Sequence, residues 1–198
     1  PVLAFSGITE NLTLAKDGEG AFYVPEFNFN NIDICKFGKG YMLNMDSADE
    51  LIWNFRDDEE LAMSTSQTPP TSNIHFPSVG VTGSDMSILL LIEDEKISGE
   101  IGIFSGDDLI GSATISGSRC GITVRGSNFD SGMTHGAENG DKLKIIWWDG
   151  EREHDNLIPE LVHGELIYQT NELSVANVTI DNLPVDFALN AVYPNPFN

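Results

Sequence analysis

Ser87-Ile88-Leu89-Leu90-Leu91-Ile92 is the stretch on which the fold turns. A strand with one wet face alternates apolar and polar residues, whereas five consecutive large apolar residues fit a strand covered on both faces. Short strands surround it: Glu100-Ile-Gly-Ile-Phe104, Leu109-Ile-Gly-Ser-Ala-Thr-Ile115, Gly121-Ile-Thr-Val-Arg125 and Lys142-Leu-Lys-Ile-Ile-Trp-Trp148. Between them stand Ser105-Gly-Asp-Asp108, Ser116-Gly-Ser118 and Glu138-Asn-Gly-Asp141, which carry turn chemistry. Residues 165–180 supply one or two closing strands. This spacing predicts an antiparallel β-sandwich of immunoglobulin-like architecture over residues 73–181. In Lys142–Trp148 the side chains of Leu143, Ile145 and Trp147 share one face, so Trp147 and Trp148 point to opposite sides of the strand.

Upstream, residues 1–60 read as a small β-rich module. Val2, Leu3, Phe5 and Ile8 are spaced for a short amphipathic helix through about Asn11, weakened by Gly7, with a strand after it. Asp17-Gly18-Glu19-Gly20 is a hairpin turn leading into Ala21–Val24, and Glu26–Ile32 reads as an Asn-rich loop with aromatic anchors. A second hairpin follows, Gly38–Met45 and Glu50–Phe55 about the turn Asp46–Asp49. Residues 61–72 have the composition of a linker, with a Ser/Thr run and Pro69-Pro70. Residues 182–198 read as a further linker ending in a first strand of another unit. The class is mainly β.

Thirty-one acidic and ten basic residues give a net charge of −21, spread along the chain. Such a surface repels polyanions and argues against nucleic acid and anionic membrane as partners. No apolar run approaches the length of a transmembrane helix, so membrane insertion is not expected. The opening Pro1-Val-Leu-Ala-Phe-Ser-Gly7 lacks an initiator Met and a basic leader, and the expectation is a mature or partial chain. Cys35 and Cys120 are too few for a disulfide framework. Two readings stand: buried thiols, or one bridge contributing on the order of 4 kcal/mol through chain entropy.

Candidate sites are few. Calcium takes oxygen ligands from acidic turns with forgiving geometry, which makes Asp107, Asp108, Asn128 and Asp130 candidate ligands, against a reading as ordinary turn residues. Exposed aromatic rings stack on sugars, so Trp148 and Trp53 are candidate glycan contacts, against a reading as core. Glu151-Arg-Glu-His-Asp155 gathers three carboxylates around a histidine, either as a metal site or as a solvated loop. Neighbouring acids on a strand point apart, so Asp107-Asp108 does not form the opposed pair a glycosidase needs. His75, His135, His154 and His163 have no helical metal spacing.

The terminal residues Tyr193-Pro-Asn-Pro-Phe-Asn198, preceded by Asp186-Phe-Ala-Leu-Asn190, resemble the opening of the type A C-terminal sorting domains of the bacterial type IX secretion system. Residues 12–55, through Leu14–Phe27 and Gly40-Tyr-Met-Leu43, are similar to a module common in such exported proteins. Residues 74–149 resemble its frequent neighbour, through Thr82-Gly-Ser-Asp-Met86, Gly99–Phe104, Ile110-Gly-Ser112 and Lys144–Asp149. Where many relatives carry Gly-Asp-Asp after the Gly121 strand, this chain has Gly126-Ser-Asn-Phe-Asp130. The resemblance implies a secreted bacterial protein at the outer cell surface, and a non-catalytic module for adhesion, scaffolding or filament formation. Its partners would be copies of itself or other surface proteins, with exposed sheet edges as contacts. The alternative is a carbohydrate-binding module attached to a secreted hydrolase.

Overall fold

The computed structural model describes residues 2, 4–32, 34–36, 38–47, 75–94, 97–127 and 136–180. The described strands are β1 (Leu12–Asp17), β2 (Phe22–Val24), β3 (Phe29–Asn30), β4 (Tyr41–Met45), β5 (Asp85–Ile92), β6 (Glu100–Ser105), β7 (Asp108–Thr114), β8 (Arg119–Arg125), β9 (Leu143–Trp148), β10 (Glu153–His154), β11 (Leu157–His163) and β12 (Leu173–Ile180). They form three four-stranded sheets: an N-terminal sheet in the order β3-β2-β1-β4, a middle sheet β11-β12-β5-β8 and an outer sheet β10-β9-β6-β7. Among the described residues no helix is long and apolar enough to cross a membrane.

The apolar run of β5 explains the layering. Ile88, Leu90 and Ile92 pack with Ile101, Ile103, Ile145 and Trp147 of the outer sheet, forming the sandwich core. The alternate residue Leu89 joins Leu173 and Val175 of β12 on the other face, against Leu14, Phe22, Val24 and Phe29 of the N-terminal sheet. Both faces of β5 are dry because the middle sheet is the centre of three layers, and the N-terminal strands share a core with the sandwich. Close approach at this contact needs Gly121 of β8, since a Cβ there would collide with the Phe29 ring. Arg119 Nε reaches across to the Phe27 carbonyl (2.7 Å) and Thr123 Oγ1 to the Gly20 carbonyl (2.7 Å).

A buried charge cluster crosses the same boundary. Lys16 of β1 is paired with Asp85 of β5, and Arg125 Nη1 of β8 lies 3.3 Å from the other Asp85 oxygen. Arg125 Nη2 also donates to the Glu19 carbonyl (2.6 Å), and Lys16 Nζ to the Asp85 carbonyl (3.2 Å). Each charged group therefore has hydrogen-bond partners, as burial demands.

Two expectations are corrected. Residues 4–11 form successive turns and no helix: Ile8 N–H donates to Phe5 O and Asn11 N–H to Ile8 O, both 3.0 Å. Gly7 penalises a helix, and a helix this short lacks the length to offset nucleation. The turns still bury Phe5 and Ile8 on the outer face of the N-terminal sheet, with Phe5 stacked on Tyr23. The sandwich is also not wholly antiparallel, because β12 runs parallel to β5, Ser174 opposite Ile88 and Ala176 opposite Leu90. Inserting β12 between β5 and β11 places it on the edge of β5 not taken by β8. The turn at Asp17 is as expected: its Oδ1 accepts the N–H groups of Glu19, Gly20 and Ala21, each at 2.9 Å. Strand Glu50–Phe55, the linker 61–72 and residues 182–198 lie outside the described residues.

Candidate functional site

The tryptophan pair divides as its alternation requires. Trp147 is in the sandwich core, with Nε1 donating to the Ser98 carbonyl (2.7 Å), while Trp148 sits half-buried on the outer face of the outer sheet. That face is not open. Residues 75–77 cross it as a strap: His75 stacks on Trp148 at 3.8 Å and 6°, and Phe76 meets Phe104 edge-on at 5.9 Å. Phe76 lies over Gly102, whose missing side chain makes the space. The strap's backbone is held by buried Glu100, which accepts the N–H of Phe76 (2.9 Å) and of His75 (3.1 Å), and by Ser112 Oγ donating to the Pro77 carbonyl (3.0 Å). One face of the candidate glycan ring is thus occupied by the protein's own imidazole. Trp53 lies outside the described residues.

The acidic segment after β9 is a built turn. Asp149 Oδ1 accepts the N–H groups of Glu151 (2.8 Å) and Arg152 (2.9 Å), and its Oδ2 lies 2.6 Å from His154 Nε2. Backbone N–H donation from Arg152, then the His154 bond and the Glu151 N–H, hold the Asp149 carboxyl well below the usual carboxylate range. His154 stacks on Trp147, and Glu153 Oε1 lies 2.8 Å from His75 Nε2. The carboxylate of Asp149 serves the turn and that of Glu153 the strap; among the described residues no group of three or more His, Cys, Asp or Glu is arranged to hold a metal ion.

Asp107 and Asp108 are exposed at the β6–β7 turn, while their companions Asn128 and Asp130 lie outside the described residues. The cysteines are both free thiols, which corrects the bridged reading. Cys35 packs on the outer face of the N-terminal sheet and Cys120 lies in the sandwich core, so the N-terminal and middle sheets stand between them. Burial pushes the Cys120 thiol up to about 12.

What the sequence reading missed is β11. It is an edge strand of the middle sheet, and Ile158, Leu161 and Val162 on it are 50%, 46% and 47% exposed. Pro159, opposite Val178, interrupts the run Leu157-Ile-Pro-Glu-Leu-Val162 and hid the strand, although a proline within an apolar run is itself an edge-strand signal. Beside the end of β11 the loop after Gly164 forms a cleft of about 240 Å³. Its floor is Met86, Ile167 and Leu173, and Glu165, Gln169 and Glu172 stand exposed around it.

Comparison with known protein families, curated proteins and solved structures finds no match to this chain.

Proposed function

We propose that the chain is a non-catalytic module of a secreted bacterial protein, working at the outer cell surface in adhesion, scaffolding or filament formation by contacting another protein surface. The observation that carries this is β11: three large apolar side chains, each about half exposed, stand within five residues on one sheet edge. Apolar side chains gathered in this way mark contact surfaces more often than solvent-facing ones. The contact is made by side chains and not by strand addition. Pro159 has no N–H to give to a further strand, and the ladder shifts register between Leu161 and His163, both of which blunt an edge. The sorting-signal resemblance of Tyr193–Asn198 supports the cellular location.

Sedimentation velocity over a range of concentrations in ~0.5 M NaCl tests this, because salt at that level screens the repulsion between acidic copies. Reversible association is expected, abolished in Leu161→Asp/Val162→Asp with the melting temperature kept. A monomer at every concentration, with glycan binding that disappears in Trp148→Ala, would overturn it in favour of the carbohydrate-binding reading. In that reading a sugar meets the ring on the face that His75 does not cover, or His75 leaves it.

A further inference from the structure

The surroundings of β11 say what kind of partner it accepts. The cleft adjoins the last residues of the strand, since Gly164, which directly follows His163, is part of its lining. Two features coincide there. The floor is apolar and closed, Met86 and Leu173 being 1% and 2% exposed, while the exposed groups around it include two carboxylates, Glu165 and Glu172, with Glu160 on the strand beside them. None of the lysines and arginines paired among the described residues is paired with any of these three glutamates. Lys16 and Arg125 are committed to Asp85, Lys39 to Glu19 and Lys144 to Asp155.

An apolar floor under carboxylates with no cationic partner among the described residues complements one kind of side chain, a long aliphatic stem ending in a cation. A second copy is poorly suited to supply it at ordinary salt, because each copy brings a net charge of −21 and its own acidic rim. We propose that β11 and the cleft beside it receive a basic segment of another protein. A lysine or arginine side chain enters the cleft between Glu165 and Glu172, and apolar side chains of the same segment cover Leu161 and Val162. This rests on the contact-surface reading of β11 and adds the chemistry of the occupant.

The probe is a fluorescein-labelled peptide of alternating leucine and lysine, followed by anisotropy at low salt, with a leucine–glutamine peptide as control. Any cationic peptide is drawn to an acidic protein, so the decisive comparison is between two variants of equal charge. Glu165→Gln/Glu172→Gln alters the cleft. Glu93→Gln/Glu151→Gln alters exposed residues at the opposite end of the sandwich, Glu93 lying about 20 Å along β5 from Met86. The cleft variant is expected to bind the lysine peptide about fivefold to tenfold more weakly, and the distant variant within about twofold of the parent. Val162→Ser weakens binding as well, and rising salt weakens it in the parent. Equal losses in the two glutamate variants, or a glutamine peptide bound as tightly as the lysine peptide, would overturn the proposal. Absence of peptide binding in a protein that still self-associates through Leu161 and Val162 at high salt removes the occupant alone; absence of both removes the β11 surface itself.

Discussion

Asp85→Ala tests the bond between the layers most directly. The Asp85 side chain is 9% exposed and is shared by two buried cations, Lys16 at 6% and Arg125 at 8%. Removing it leaves two positive charges in a dry site where, among the described residues, the remaining acceptors are the carbonyls of residue 85 and of Glu19. Taking one partner from a buried ion pair costs about 3–5 kcal/mol, chiefly as the penalty of the charge left behind. For a chain of this size that corresponds to a melting temperature roughly 6–20 °C lower. Lys16→Met is the informative companion. It leaves Asp85 with Arg125 and replaces an ammonium by an apolar chain of similar length, so it should cost below about 2 kcal/mol. The assay is urea denaturation of Trp53→Phe backgrounds followed by tryptophan fluorescence, which then reports Trp147 and Trp148 of the outer sheet, and by far-ultraviolet circular dichroism, which reports all three sheets. The two signals are expected to move together in both variants, because the N-terminal sheet shares a core with the middle one. An Asp85→Ala protein within about 1 kcal/mol of the parent, or a Lys16→Met protein as unstable as Asp85→Ala, would refute the reasoning.

Two further outcomes are expected. Thiol titration without reductant should find no reactive Cys120 in the native protein, slow modification of half-buried Cys35, and two thiols after denaturation; no thiols after denaturation would restore the bridge. Asp149 has a depressed carboxyl pKa in the folded protein, so its contribution to stability is complete above the ordinary value of 3.8 and is lost as pH falls through the lower folded value. Asp149→Asn should therefore melt below the parent by a constant margin at neutral pH, and the margin should narrow below about pH 4; a margin unchanged down to pH 2 would show that the carboxylate's charge is not what holds the β9–β10 turn.

Local pattern carried much of the architecture. The unbroken run Ser87–Ile92 announced a strand with two dry faces, the alternation in Lys142–Trp148 put Trp147 and Trp148 on opposite sides of their strand, and Asp17–Gly20 announced its turn. All three are properties of a few consecutive residues, for which the period of a strand or the φ preference of a turn is enough. The candidate sites were less legible, because each depends on what arrives from elsewhere in the chain. Trp148 could be placed on the face of its strand opposite Trp147, but not on the outside of the sandwich beneath His75, which comes from 73 positions earlier and is held there by Glu100.

By itself, then, the sequence determined the mainly β class, the positions of most strands and the burial of both faces of β5. Only the tertiary structure decided what lies on those faces: the outer sheet on one, the N-terminal sheet on the other, with Lys16 brought to Asp85 across 69 positions. It also decided that β12 enters beside β5 in parallel and leaves β11 as an apolar edge. The physical reason is that hydrophobic burial has no direction. A periodic pattern says which face must leave water, while the partner surface is chosen by long-range fit, here by a ring on a bare glycine at Phe29 and Gly121 and by a shared carboxylate at Asp85.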